Sequence, residues 1–194
     1  LPEWFWTENL SPDVSFRAHR LETDVGLVQQ TPFEHDLELT IARLGSFLAF
    51  QDEGLENARN VLRKSETDLI LCDVSPLGLA LGKELGIPSI LVENFTWDWI
   101  YGAYLEADSR FGPCIEQLGE LFRSAALRIQ TEPLCERMQE HPLVPPIFRE
   151  FEQSPERILE RLDLQAGSCY LLVTTGGIPQ EYSFLEQLKK RKDV

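Results

Sequence analysis

The apolar positions change period along the chain, and each change predicts an element. Between residues 35 and 64, Leu37, Ile41, Leu44, Leu48, Leu55, Ala58 and Leu62 recur at helical steps with charges between them. That spacing predicts one long amphipathic helix, or two broken near Gly54. The period then collapses into Asp68-Leu69-Ile70-Leu71-Cys72-Asp73, a short apolar run bounded by acids, as a buried central strand requires. Pro76 is pre-organised for a first helical turn, Leu77, Leu79, Ala80, Leu81 and Leu85 give that helix a largely buried body, and Gly86 ends it. Pro88 to Val92 reads as the next strand. A strand, a helix and a strand within about 25 residues predict parallel neighbours joined by a right-handed crossover.

Farther on, Trp97 to Leu105 and Cys114 to Ala126 read as helices and Leu127 to Thr131 as a strand. His141-Pro142-Leu143-Val144-Pro145-Pro146 is too rich in proline for regular helix and reads as a linker. Ser154 and Pro155 then open a helix that runs through Leu162. The βα pattern restarts with a buried strand at Tyr170 to Val173, a tight turn at Thr174-Thr175-Gly176-Gly177 and a helix from Tyr182 to Arg191 that runs into a basic tail. The fold class expected is α/β, a Rossmann-like parallel sheet flanked by helices, with the first βα unit of a second Rossmann-like domain. Its expected divisions are 1–140, a linker at 141–153, and the start of a second domain at 154–194.

Charge narrows the partners. Against 32 Asp and Glu stand 18 Lys and Arg, a formal charge of -14, so the chain lacks the basic face that nucleic acid or an anionic membrane surface would need. With 43% hydrophobic residues the chain can bury a core, which excludes disorder as a global description. No apolar run approaches the ~20 residues of a membrane span, and Leu1 to Trp6 do not look like a signal peptide. The sole methionine is Met138, so the chain is expected to begin inside something longer or to have been processed. Cys72, Cys114, Cys135 and Cys169 lie far apart with no metal-ligand spacing, which suits reduced thiols in a cytoplasmic protein and no metal site.

Ligands of parallel sheets collect at the carboxyl ends of the strands, which singles out Asp73-Val74-Ser75 and Glu93-Asn94-Phe95. Asp73 can meet a ligand there, or it can simply cap the helix that follows, with Ser75 competing for that role. A phosphate-receiver reading of Asp73 fails for want of an upstream acidic pair. The string Asn94-Phe95-Thr96-Trp97-Asp98-Trp99-Ile100-Tyr101 offers aromatic faces to a sugar ring and Asn and Asp to its hydroxyls. The same spacing also fits plain core, with Trp97, Ile100, Tyr101 and Tyr104 as the buried stripe of a helix. Thr175, Gly176 and Gly177 allow backbone to approach a diphosphate at a helix start, or form an ordinary βα turn. His19, His35 and His141 show neither metal nor triad spacing.

Taken in order, Asp68 to Pro76, Gly86-Ile87-Pro88 and Asn94 to Tyr101 resemble the glycosyltransferase-like N-terminal region of plant L-arabinokinases and of related bacterial GT-B proteins. Asp24 to Gln29 resembles the loop before that family's long helix, and Leu171 to Gly177 the strand and turn that open its nucleotide-sugar domain. The resemblance implies an acceptor-side domain facing a donor-side one across a cleft. Asn94, Phe95, Trp97, Asp98 and Tyr101 would line the acceptor side, and Thr175, Gly176 and Gly177 would approach the donor diphosphate. It implies no metal and no cofactor beyond a nucleoside-diphosphate sugar as co-substrate. The family's Gly- and His-rich turn after the first strand is missing, and a catalytic base with it; Asp73, at its strand end, is the catalytic candidate that the residues themselves offer. Most of the donor domain and any kinase-type ATP segment are missing too. The function expected is therefore a fragment of a glycosyltransferase acting on an unidentified acceptor, inactive alone, with a homodimer or a missing C-terminal half to cover its sheet edge. A noncatalytic sugar- or nucleotide-binding module is the alternative, and a partner-binding α/β domain, in which Trp97 and Trp99 are both inaccessible, is the third reading.

Overall fold

A computed structural model describes residues 10–11, 13–51, 53–148, 153–173, 182–188 and 190–191. A short antiparallel ribbon, β1 (Gln29–Thr31) with β2 (Glu34–His35), leads into helix α1 (Leu37–Leu48). Asp36 caps that helix, accepting from the Leu39 N–H at 2.9 Å. Thr40, fully buried, ties ribbon to helix: its hydroxyl donates to the Asp36 carbonyl at 2.7 Å and accepts from the Val28 N–H at 3.0 Å. The long helical pattern is two helices, α1 and α2 (Glu53–Lys64). The chain turns at Phe50, which adopts φ +48°, packs its ring against Phe47 and gives its carbonyl to Arg59.

The strand, helix and strand expected at the centre are β3 (Ile70–Asp73), α3 (Pro76–Leu85) and β4 (Ser89–Glu93). Ser75 caps α3, Pro76 opens it and Gly86, at φ +70°, closes it. Helices α4 (Trp97–Gly102) and α5 (Phe111–Arg123) follow, then β5 (Leu127–Thr131) and β6 (Leu143–Val144). Helix α5 starts three residues earlier than its pattern suggested. The four strands lie in the order β3-β4-β5-β6, all parallel, so the Rossmann-like α/β class holds.

One expectation needs correction, and one stretch carries a strand that the pattern did not suggest. The proline-dense stretch read as linker contains β6, because its prolines flank the pairing residues and an edge strand tolerates them; the Pro142 carbonyl itself accepts from the Gln130 N–H at 2.9 Å. Tyr170 to Val173, expected as a buried strand, pairs with nothing among the described residues and is exposed, Leu172 to 88%. A strand is a property of a pair, and apolar sequence alone does not supply the neighbour. Two short helices follow, α6 (Pro155–Arg161), capped by Ser154, and α7 (Phe184–Leu188).

The core lies on one face of the sheet, where Cys72 and Leu91 meet Leu44, Leu48, Leu79, Tyr101, Phe111, Leu118 and Phe122. Helix α3 crosses β3 so closely that a methyl on Gly78 would fall 2.6 Å from Cys72 Sγ. Period-two alternation turns Leu71 and its register neighbours Ile90 and Leu127 to the opposite face, where Leu71 is 68% exposed.

A candidate cleft at the carboxyl ends of the strands

Where β3, β4 and β5 end, on the open face of the sheet, a cleft of about 540 Å3 is lined by Leu71, Asp73, Val92, Glu93, Asn94, Thr131, Glu132, Pro133, Pro146 and Ile147. Register explains the grouping. Asp73 pairs with Val92, and Val92 with Ile129, so these side chains share a face, and the residues that follow each strand close the upper rim. Val74, next to Asp73, holds φ +49°, a conformation a β-branched residue rarely adopts, while its N–H extends the ladder to the Val92 carbonyl at 3.2 Å. This turn leaves Asp73 at the rim and brings Ser75 to the helix start, where its hydroxyl accepts from Gly78 and donates to the Thr23 carbonyl. The cap is thus Ser75, and Asp73 is exposed at the cleft.

The rim is held from the other side of the sheet. Glu93, 3% exposed, accepts on Oε1 from Arg128 Nε at 2.9 Å and from Gln130 Nε2 at 2.8 Å. Gln130, with no exposed surface, also donates to the Glu136 carbonyl and accepts on Oε1 from Arg137 and from the Met138 N–H, each at 2.9 Å. Arg137 donates in addition to the Met138 carbonyl. The Cys135 N–H reaches the Asn94 carbonyl at 3.0 Å, and the Glu132 N–H reaches Val144 at 3.0 Å. Every polar atom of the Gln130 amide is engaged, so the segment from Glu132 to Met138 is fastened to the sheet by a buried network rather than by packing alone.

Of the expected site residues, Asp73 and Asn94 come together in the cleft. Phe95, Trp97, Asp98 and Tyr101 are not among its lining residues. Phe95 meets Trp97 edge on, with ring centroids 5.2 Å apart, Trp97 stacks on Tyr101 at 5.8 Å, and Tyr101 stacks on Phe111 at 5.4 Å. Tyr101 is 0% exposed and donates to the Gly26 carbonyl at 3.0 Å, so it is a packing centre rather than a ligand surface. Its register on the helical stripe carries it inward. Gly26, at φ +67°, lies beneath Trp97, where a Cβ would touch the indole at 3.4 Å. Asp98 sits against α5 beside Gly119, with Oδ1 sealed from solvent and unpartnered. Trp99, off the stripe, is 45% exposed, against the reading in which both tryptophans are inaccessible. Thr175, Gly176 and Gly177 lie outside the described residues.

Sequence reasoning missed Gln130, Thr131, Glu132 and Asp24. Asp24 accepts from the Trp97 indole at 3.3 Å, and burial holds its carboxyl above the ordinary range, against the pull of that hydrogen bond and with help from the charges of Glu22 and Asp73. Burial likewise pushes the Cys72 thiol up to about 11, which suits a packing residue and not a nucleophile. A second hollow, of about 400 Å3 between α2, α3 and α5, lies in the helix layer, away from the strand ends. Among the described residues no three His, Cys, Asp or Glu side chains gather as a metal ion would need, and no helix is long and apolar enough to cross a membrane.

No protein-family model matches the chain, and no solved structure matches it. L-arabinokinase of Arabidopsis thaliana is similar, 24% identical over 196 aligned residues that cover 95% of this chain. The chain spans 18% of that protein's length.

Proposed function

We propose that this chain is the acceptor-side part of a sugar-handling enzyme of glycosyltransferase type, with the cleft at the strand ends as its acceptor site. The observation that carries the reading is the composition of that cleft. Carboxylates, an amide and a hydroxyl at Asp73, Asn94, Thr131 and Glu132 stand over an apolar floor of Leu71, Val92, Pro133 and Ile147. A sugar offers hydroxyls on its rim and C–H groups on its faces, and such a surface answers both. The similarity to a protein named for a sugar kinase points to the same class of substrate.

In this reading an acceptor hydroxyl bonds to the Asp73 carboxylate, which takes its proton as the oxygen attacks the donor's anomeric carbon. The diphosphate leaves toward backbone amides around Thr175, Gly176 and Gly177, the donor-side turn that the sequence pattern supplies. Titrating the protein in its full natural length with UDP-, GDP- and TDP-sugars, read by melting temperature and tryptophan fluorescence, tests the proposal. Saturable stabilisation by one donor class is expected. A cooperative melt that no donor shifts would contradict it.

A further inference from the structure

The charges around the cleft constrain what can enter it. Among the described residues its ionisable lining is Asp73, Glu93 and Glu132, all acidic. Among the described residues, the guanidinium groups that hold the rim are already engaged: Arg128 is paired with Glu93, and Arg137 is bonded to Gln130 and to the Met138 carbonyl. Asp24 lies near enough to Asp73 for their charges to interact, although burial is the chief cause that raises its own carboxyl. The rest of the described lining offers one amide, one hydroxyl and apolar carbon, so none of these residues compensates a phosphate or a carboxylate.

Resting on the acceptor-site reading above, we infer that the cleft takes an uncharged, hydroxyl-rich ligand, a free sugar or the neutral end of a glycan, and rejects its phosphorylated and carboxylated counterparts. Sugar hydroxyls donate to Asp73 and Glu132 without bringing a charge against them. The C–H face rests on Leu71, Val92 and Ile147. A phosphate in the same place would sit among carboxylates, with like charges against it. The donor diphosphate is accordingly bound outside this cleft, and an aminosugar is tolerated where a sugar phosphate is not.

The test is a calorimetric titration of this chain with D-galactose and L-arabinose, their 1-phosphates and D-galactosamine, at low and at physiological ionic strength. At least one neutral sugar is expected to bind, its 1-phosphate about tenfold more weakly or worse, with the gap narrowing as salt screens the charges. Asp73 and Glu132 are exposed, so Asp73→Asn with Glu132→Gln keeps the fold and is expected to reduce the discrimination to about threefold or less. A sugar 1-phosphate that binds as well as the free sugar, or a ratio unchanged in the double variant, overturns this inference and leaves the acceptor-site reading standing. Silence from every sugar and sugar phosphate overturns both.

Discussion

Gln130 and Glu93 meet 2.8 Å apart, amide nitrogen to carboxylate oxygen, at the carboxyl ends of two adjacent parallel strands. Glu93 also holds Arg128, and Gln130 also holds the segment that follows β5, so one contact joins a buried ion pair to the wall of the cleft. Removing Arg128 alone leaves a carboxylate buried with one neutral donor. Arg128→Met is expected to cost about 3–5 kcal/mol in urea unfolding, whereas Arg128→Met with Glu93→Leu is expected to recover most of the loss. A double variant as unstable as the single one would show that the pair is not the source of the cost.

Close packing of α3 on β3 predicts an inverted glycine effect. An alanine within a helix is ordinarily favoured over glycine by about 1 kcal/mol. At Gly78 the added methyl meets Cys72 Sγ at 2.6 Å and Ile70 Cγ2 at 3.3 Å. Gly78→Ala is expected to destabilise by about 1–3 kcal/mol, and Cys72→Ala in the same chain to relieve part of that cost. A stabilised Gly78→Ala would mean that helix and strand lie farther apart than described.

Tyr101 joins the aromatic stack to the loop at Gly26 through one hydroxyl. Tyr101→Phe keeps the rings and drops the hydrogen bond, leaving the Gly26 carbonyl without that donor; a loss of about 1 kcal/mol is expected from chemical unfolding. An unchanged midpoint would show that water replaces the hydroxyl there.

The pH dependence at Asp24 has a definite sign. Burial raises its carboxyl above the ordinary carboxylate range in the folded chain. A raised folded value gives stability that is fully present below the unfolded pKa and lost as pH rises through the folded one. Asp24→Asn keeps an acceptor for the Trp97 indole and removes the charge. It is expected to raise the melting temperature by about 1–2 °C at pH 7 and to leave it unchanged near pH 3. A gain confined to the acidic end would reverse the assignment.

Local signals made the central unit legible in the sequence. Pro76, the leucines after it and Gly86 act through neighbours within a few residues, and α3 has the bounds that they set. The buried stripe through Trp97 and Tyr101 was legible in the same way, and Trp99 stood outside it by spacing alone. The wall of the cleft was not legible. Glu93 and Gln130 are 37 residues apart, and their meeting depends on the parallel register that places Glu93 opposite Gln130, which no periodicity encodes. Tyr170 to Val173 failed for a related reason, since a run of apolar residues states a preference for burial and says nothing about which strand lies beside it.

A backbone-amide NMR titration of this chain with a neutral sugar, beginning with L-arabinose, separates the strand-end cleft from every other surface residue by residue. Saturable shifts clustered at Asp73, Asn94, Thr131 and Glu132 are the predicted result. Shifts confined to the helix-layer hollow around Phe50 and Lys83, or no shifts with any neutral sugar, would contradict the assignment of the strand-end cleft as the sugar site.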